Sequence, residues 1–102
     1  MKNGSKFNRT AFLKAAEMMK TLGHPLRLSL LCALIEGGEM TAGELVGMER
    51  GRHSQSQVSQ YLGALREMGY VSARREGQAI WYRISSPEVR RIIGLLHALY
   101  CE

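Results

Sequence analysis

The apolar residues of this chain change period once, at Gly69, and that change constrains the fold more than any other feature. Before it, "SQSQVSQYLGALREMG" places Val58, Tyr61, Leu62 and Leu65 at the three- and four-residue spacing of one helix face, with Ser54 or Ser56 as the cap. After it, "YVSARREGQAIWYRIS" alternates with a period near two. Two strand-like arms, Tyr70–Arg74 and Ala79–Ile84, flank "REGQ". Gly77 supplies a tight turn, so the segment reads as a β-hairpin with a basic tip.

Helices surround this pair. From Thr10, a candidate cap, Phe12, Ala15, Ala16, Met19 and Leu22 recur at helical spacing until Gly23. "HPLRLSLLCALIEGG" puts Pro25 in a first turn, where its missing N–H costs little. Leu28, Leu31, Cys32 and Ile35 follow as a stripe, and Gly37-Gly38 stops it. "TAGELVGM" opens with Thr41 and has Glu44 three residues on, a capping-box pattern for a short third helix. Ser86-Pro87-Glu88 opens a last helix with the stripe Val89, Ile92, Ile93, Leu96, Leu99 and Tyr100. The predicted order is α-α-α-α-β-β-α, mainly α with a hairpin. Residues 1–9 are expected to form a flexible arm and residues 10–102 a single domain.

A short helix, a turn, a second helix rich in small polar residues and a basic hairpin make up the winged helix-turn-helix order. The second helix lies in the major groove of DNA, where its outer face hydrogen-bonds base edges. Ser54, Gln55, Ser56, Gln57, Ser59 and Gln60 supply that face, and Arg66 lies within reach of the backbone. At the hairpin, Arg74, Arg75 and Gln78 suit phosphate or minor-groove contact. The net charge of +5, from 14 Lys+Arg against 9 Asp+Glu, fits a polyanionic partner. Each feature alone is more often a solvated surface; their order makes double-stranded DNA the expected partner. No apolar run approaches the roughly 18–20 residues of a membrane span. Without a secretory signal either, the expected location is the cytoplasm, where two cysteines stay reduced.

"LGHPLRLSLLCAL", "TAGELV", "SQSQVSQYLGALREMGYVSARREGQAIWYRIS" and the last helix resemble the ArsR family of bacterial transcriptional repressors, over about residues 15–101. The run from Ser54 to Val71 carries the most specific part of the likeness. The resemblance implies a homodimer joined through its first and last helices. It would bind a near-palindromic operator, with two reading helices about one DNA turn apart. One departure stands out: "GMERGRH" is longer than the usual connection into the reading helix, which leaves that helix's start open by a few residues.

Many members of the family sense metal. Here the third helix has no cysteine or histidine, and the last helix offers only Glu88 and His97, a poor set for a tetrahedral site. Ligands pooled across a dimer keep metal as the weaker reading. Two thiols are left. Cys32 reads as a small packing residue in an apolar stripe, and Cys101 as an incidental terminal residue. However, "LLC" in the second helix with "LLHALYC" ending the last resembles the dithiol branch of the family, the BigR-, SqrR- and HlyU-like sensors of sulfane sulfur. That resemblance implies a Cys32–Cys101 switch in which a persulfide or polysulfide inducer leaves a polysulfide bridge between the two helices. His97, four residues before Cys101, is either a neighbour of that thiol or an interfacial histidine. His24 and His53, at cap and turn positions, carry no assigned role.

The rival readings are a metal or arsenite sensor using Cys32, Cys101 and His97, and a constitutive or anti-silencing DNA-binding regulator whose cysteines only pack. Weaker still are a protein-binding module without DNA and an enzyme. For the last, a cysteine and a histidine lack the orienting third group of a nucleophile triad. No cofactor is expected.

Overall fold

In a computed structural model, the chain is described over residues 8–49 and 52–101. Its elements are α1 (Arg9–Leu22), α2 (Pro25–Gly37), β1 (Met40–Thr41), α3 (Ala42–Met48), α4 (Gln55–Glu67), β2 (Val71–Glu76), β3 (Ala79–Ile84) and α5 (Pro87–Tyr100). The expected winged helix-turn-helix order is present, with one strand added.

Local chemistry sets most of the boundaries. Thr41 Oγ1 accepts from Glu44 N at 3.1 Å while the Glu44 carboxylate accepts from Thr41 N at 3.0 Å, closing the predicted capping box of α3. Ser86 Oγ caps α5 by accepting from Val89 N, with Pro87 in the first turn. At the start of α1 the cap is Asn8, not Thr10: its Oδ1 accepts from Ala11 N at 2.8 Å. Asn8 and Arg9 thus belong to the helix rather than to the expected arm, whose residues 1–7 lie outside the described range. Pro25 opens α2, and His24 caps it by accepting from Leu26 N through Nδ1. Gly38 then ends it at φ 82°, a left-handed conformation that side chains resist.

The hairpin is longer than its alternation suggested. β2 runs to Glu76, which pairs with Ala79, so the turn is only Gly77-Gln78. β1, too short to show any period, adds a third antiparallel strand in the order β1-β3-β2.

The core gathers Leu30, Leu31 and Leu34 of α2, Leu45 of α3, Val58, Leu62 and Leu65 of α4, Val71 and Ile84 of the sheet, and Val89 and Ile93 of α5, each at most 2% exposed. α2 is central, touching α1, α3, α5 and β3. It is apolar on nearly every side, and the structure corrects its expected stripe. Leu31 is buried with Leu26, Leu30, Ala33 and Leu34, whereas Leu28, Cys32 and Ile35 are half-buried at the edge. The stripe of α1 is corrected too. Only Leu22 of the expected set is buried, because α1 packs through its last turn and leaves Phe12 and Met19 exposed.

Candidate DNA-reading surface and dithiol site

The reading helix α4 starts at Ser54, which resolves the uncertainty left by the long connection. Ser54 Oγ accepts from Gln57 N at 3.1 Å and Gln57 Oε1 accepts from Ser54 N at 3.0 Å. These two side chains, expected among the base readers, are therefore engaged by the helix's own first turn. Gln55, Ser56, Ser59 and Gln60 remain exposed and without a side-chain partner among the described residues. Val58, Leu62 and Leu65 pin the opposite face into the core. Arg66 is exposed in the last turn, two turns beyond Ser59 on the same face. α4 is held further by Tyr61, whose hydroxyl lies 3.2 Å from His24 Nε2. Because His24 Nδ1 accepts the α2 cap bond, a neutral ring donates from Nε2 to Tyr61.

On the hairpin the two arginines differ. Arg74 donates through Nε and Nη2 to the two carboxylate oxygens of Glu39, both at 2.9 Å, and through Nη1 to Glu76 at 3.2 Å. Its guanidinium also lies 5.8 Å from the Trp81 ring centroid. The hydrogen bond from Arg74 holds the Glu39 carboxyl below the usual carboxylate range, and Glu39 followed by Glu76 raises Arg74 above its ordinary value. Arg74 thus ties the hairpin to the turn before β1. Arg75 points to the other face of the ribbon, exposed and with no ion pair among the described residues. Gln78 is exposed in the turn itself.

The two cysteines, distant in sequence, line one cavity of about 420 Å³ with Pro25, Leu28, Ser29, Glu36 and Met48. Cys32 is half-buried on α2; Cys101 is exposed where the chain leaves α5. Burial pushes the Cys32 thiol up first, followed by the charge and hydrogen bond of Cys101 and then the charge of Glu36. The Cys101 thiol is therefore close enough to act on the ionisation of Cys32. His97 Nε2 lies 2.7 Å from Glu36 Oε2, so its imidazole is paired across the seam between α2 and α5. Glu36 is one turn after Cys32 and His97 one turn before Cys101, so α2 and α5 meet antiparallel with a hydrogen-bonded pair and a thiol pair in adjacent turns. Among the described residues, no three His, Cys, Asp or Glu side chains converge as metal ligands.

Sequence reasoning assigned no role to Glu36, Glu39, Glu49, His24 or His53. Their partners lie far along the chain or across a turn, where no periodicity reports them.

A short helix, a capped second helix with a polar outer face and a flanking ribbon define a winged helix-turn-helix regulator that binds DNA. Residues 24–73 match the family described as "Bacterial regulatory protein, arsR family". The chain is 43% identical to the transcriptional activator HlyU of Vibrio cholerae serotype O1 over 89 residues, 87% of this chain and 80% of that protein. It is equally, at 43%, identical to the biofilm growth-associated repressor of Agrobacterium fabrum over 88 residues, 86% of this chain and 73% of that one. The solved structure of reduced HlyU from Vibrio cholerae superposes with a TM-score of 0.81 at 41% identity, covering 91% of this chain and 95% of that chain. The chain belongs to the ArsR family and is a DNA-binding transcriptional regulator, not an enzyme. No described helix is long and apolar enough to cross a membrane.

Proposed function

We propose that the chain is a homodimeric transcriptional repressor whose grip on operator DNA is switched by sulfane-sulfur chemistry at Cys32 and Cys101. The observation that carries this reading is the shared cavity. The chain has two cysteines, and both line it, on two different helices. The more exposed Cys101 thiolate attacks the outer sulfur of a persulfide donor, which leaves as its thiol. Cys32 takes a second sulfur in the same way. The terminal sulfur of one cysteine persulfide then attacks the cysteine sulfur of the other, expels hydrosulfide and leaves a trisulfide. A direct disulfide needs Cα atoms within roughly 7 Å, whereas inserted sulfurs span a wider gap. The relative whose reduced form has been solved supports a thiol-dependent state.

The dimer rests on the exposed apolar side chains of the first and last helices. Leu13 and Met19 of α1 and Leu95, Leu99 and Tyr100 of α5 are 58–81% exposed, a surface that monomers rarely leave uncovered. Two-fold symmetry then sets two α4 helices on successive major grooves. Gln55, Ser56, Ser59 and Gln60 read bases, while Arg66, Arg75 and Gln78 hold the backbone. Strain of the bridged dimer in its DNA-bound shape supplies the release; complete reversal of a strong preference takes about 5.5 kcal/mol.

The test is operator binding by the reduced and the persulfide-treated protein, with intact mass measured alongside. A gain of about 32 Da per retained sulfur, with weakened binding, is expected. An unchanged response in Cys101→Ser would leave a constitutive regulator with packing cysteines, and metal retained through purification would favour a metal or arsenite inducer.

A further inference from the structure

Glu49 is the one acidic side chain buried in the core among the described residues: it is only 7% exposed, at the C-terminal end of α3. A buried carboxylate is costly unless bonded, and a helix C-terminus is the wrong pole for a negative charge. No lysine or arginine among the described residues pairs with it. What it has instead are two neutral-capable partners on different elements. Ser29 Oγ, on α2, donates to Glu49 Oε2. On the other side His53 Nδ1 sits 3.5 Å from Glu49 Oε1. That nitrogen is itself buried, and it makes no hydrogen bond. The contact is near bonding distance without being made, and a small movement of either group closes it.

The ends of this chain of contacts matter. Ser29 lies three residues before Cys32 on α2 and lines the dithiol cavity, as does Met48, the residue before Glu49. His53 immediately precedes Ser54, whose capping box starts the reading helix. One buried carboxylate therefore spans from the rim of the thiol cavity to the first turn of α4.

We propose that Glu49 is a positioning residue that transmits the state of the dithiol to the reading helix. The inference rests on the dithiol switch proposed above and supplies its route to the DNA. A bridge across α2 and α5 moves the α2 rim and Ser29 with it. Glu49, released from Ser29, turns toward His53, and the closed contact shifts the cap at Ser54. The coupling needs no movement of the core leucines, because a joint with two arrangements is enough.

The experiment compares operator affinity before and after treatment with a glutathione persulfide donor in wild type, Glu49→Gln and Ser29→Ala. Intact mass reports bridging in each. Ser29→Ala removes one hydroxyl and keeps the fold testable if the buried substitution does not. The expected result is that both variants bind operator when reduced and form the bridge with the wild-type mass gain. Their affinity ratio between the two states falls at least about tenfold below that of wild type, within the range of ordinary allosteric couplings. A merely structural role would weaken both states alike and leave the ratio unmoved. Variants that bridge and switch as wild type does overturn the relay alone. A wild type that bridges without losing affinity, or does not bridge, overturns the dithiol reading and the relay together.

Discussion

Arg74 and Arg75 are adjacent, identical in charge and equally plausible as phosphate contacts, yet the structure gives them different work. Arg75 is exposed and unpaired among the described residues, whereas Arg74 is held by Glu39 and Glu76. Each phosphate contact steepens the dependence of log affinity on log salt by about 0.9. A dimer presents two wings, so Arg75→Ala is expected to flatten the slope by about 1.8, which moderates the affinity loss between 50 and 200 mM salt by about 12-fold. Arg74 already meets two carboxylates, so it neutralises no phosphate and displaces no counterion from the DNA. Arg74→Ala is expected to weaken binding through a loosened hairpin while keeping the slope. Glu39→Gln reverses the sign: it frees Arg74 for the backbone, and the slope steepens. Fluorescence anisotropy with labelled operator at several salt concentrations reads all three. If Arg74→Ala flattens the slope as much as Arg75→Ala, the assignment of Arg74 to wing positioning is wrong.

Two further outcomes follow from the thiols and the core. Iodoacetamide followed by peptide mapping is expected to label Cys101 before Cys32. Cys101→Ser brings the Cys32 pKa down toward its ordinary value of 9.0 by removing a charge, though burial keeps it raised. Because the fold holds Cys32 in its neutral form, that contribution to stability is full below the ordinary thiol pKa and is lost as pH rises through the folded one. Wild type should therefore lose more stability than Cys32→Ser on the alkaline side, by denaturant titration across pH. Leu62→Ala, at a site with no exposure where α4 enters the core, is expected to cost about 2–5 kcal/mol, read by urea denaturation. A cost near zero would mean that α4 is not anchored as described.

Elements with local signals were legible in the sequence. Thr41 with Glu44 and Ser86 with Pro87 announce helix starts, because each cap is completed within four residues, while at α4 the choice lay between Ser54 and Ser56. The same economy gives two of the expected base readers a local partner. Ser54 and Gln57 look like base readers in a list of polar residues, but their partners are each other. The packing face of α2 was not legible, since a helix apolar on nearly all sides carries no direction. Nor was β1, whose two residues are a strand only because Tyr82 and Trp81 lie opposite. The acids that organise the molecule, Glu36, Glu39 and Glu49, pair with His97, Arg74 and Ser29 on other elements, so tertiary structure alone reveals them.

The seam between α2 and α5 explains why thiols at these two positions suit a switch. Antiparallel helices repeat their contacts turn by turn, so Glu36 opposite His97 sets the register that also brings Cys32 toward Cys101. The Glu36–His97 contact is partly exposed and weak, so it aligns the helices without locking them. The proposed bridge one turn away is covalent, and it would act on the same helix that presents Leu95, Leu99 and Tyr100 to the proposed partner. In the proposed dimer, tightening the seam inside each protomer would tilt the shared surface in both protomers at once. Two-fold symmetry would double that tilt between the two α4 helices, where the fixed spacing of the major grooves makes a small misfit expensive. Had the bridge joined two strands of the sheet, the same chemistry would stiffen the wing and leave the spacing alone.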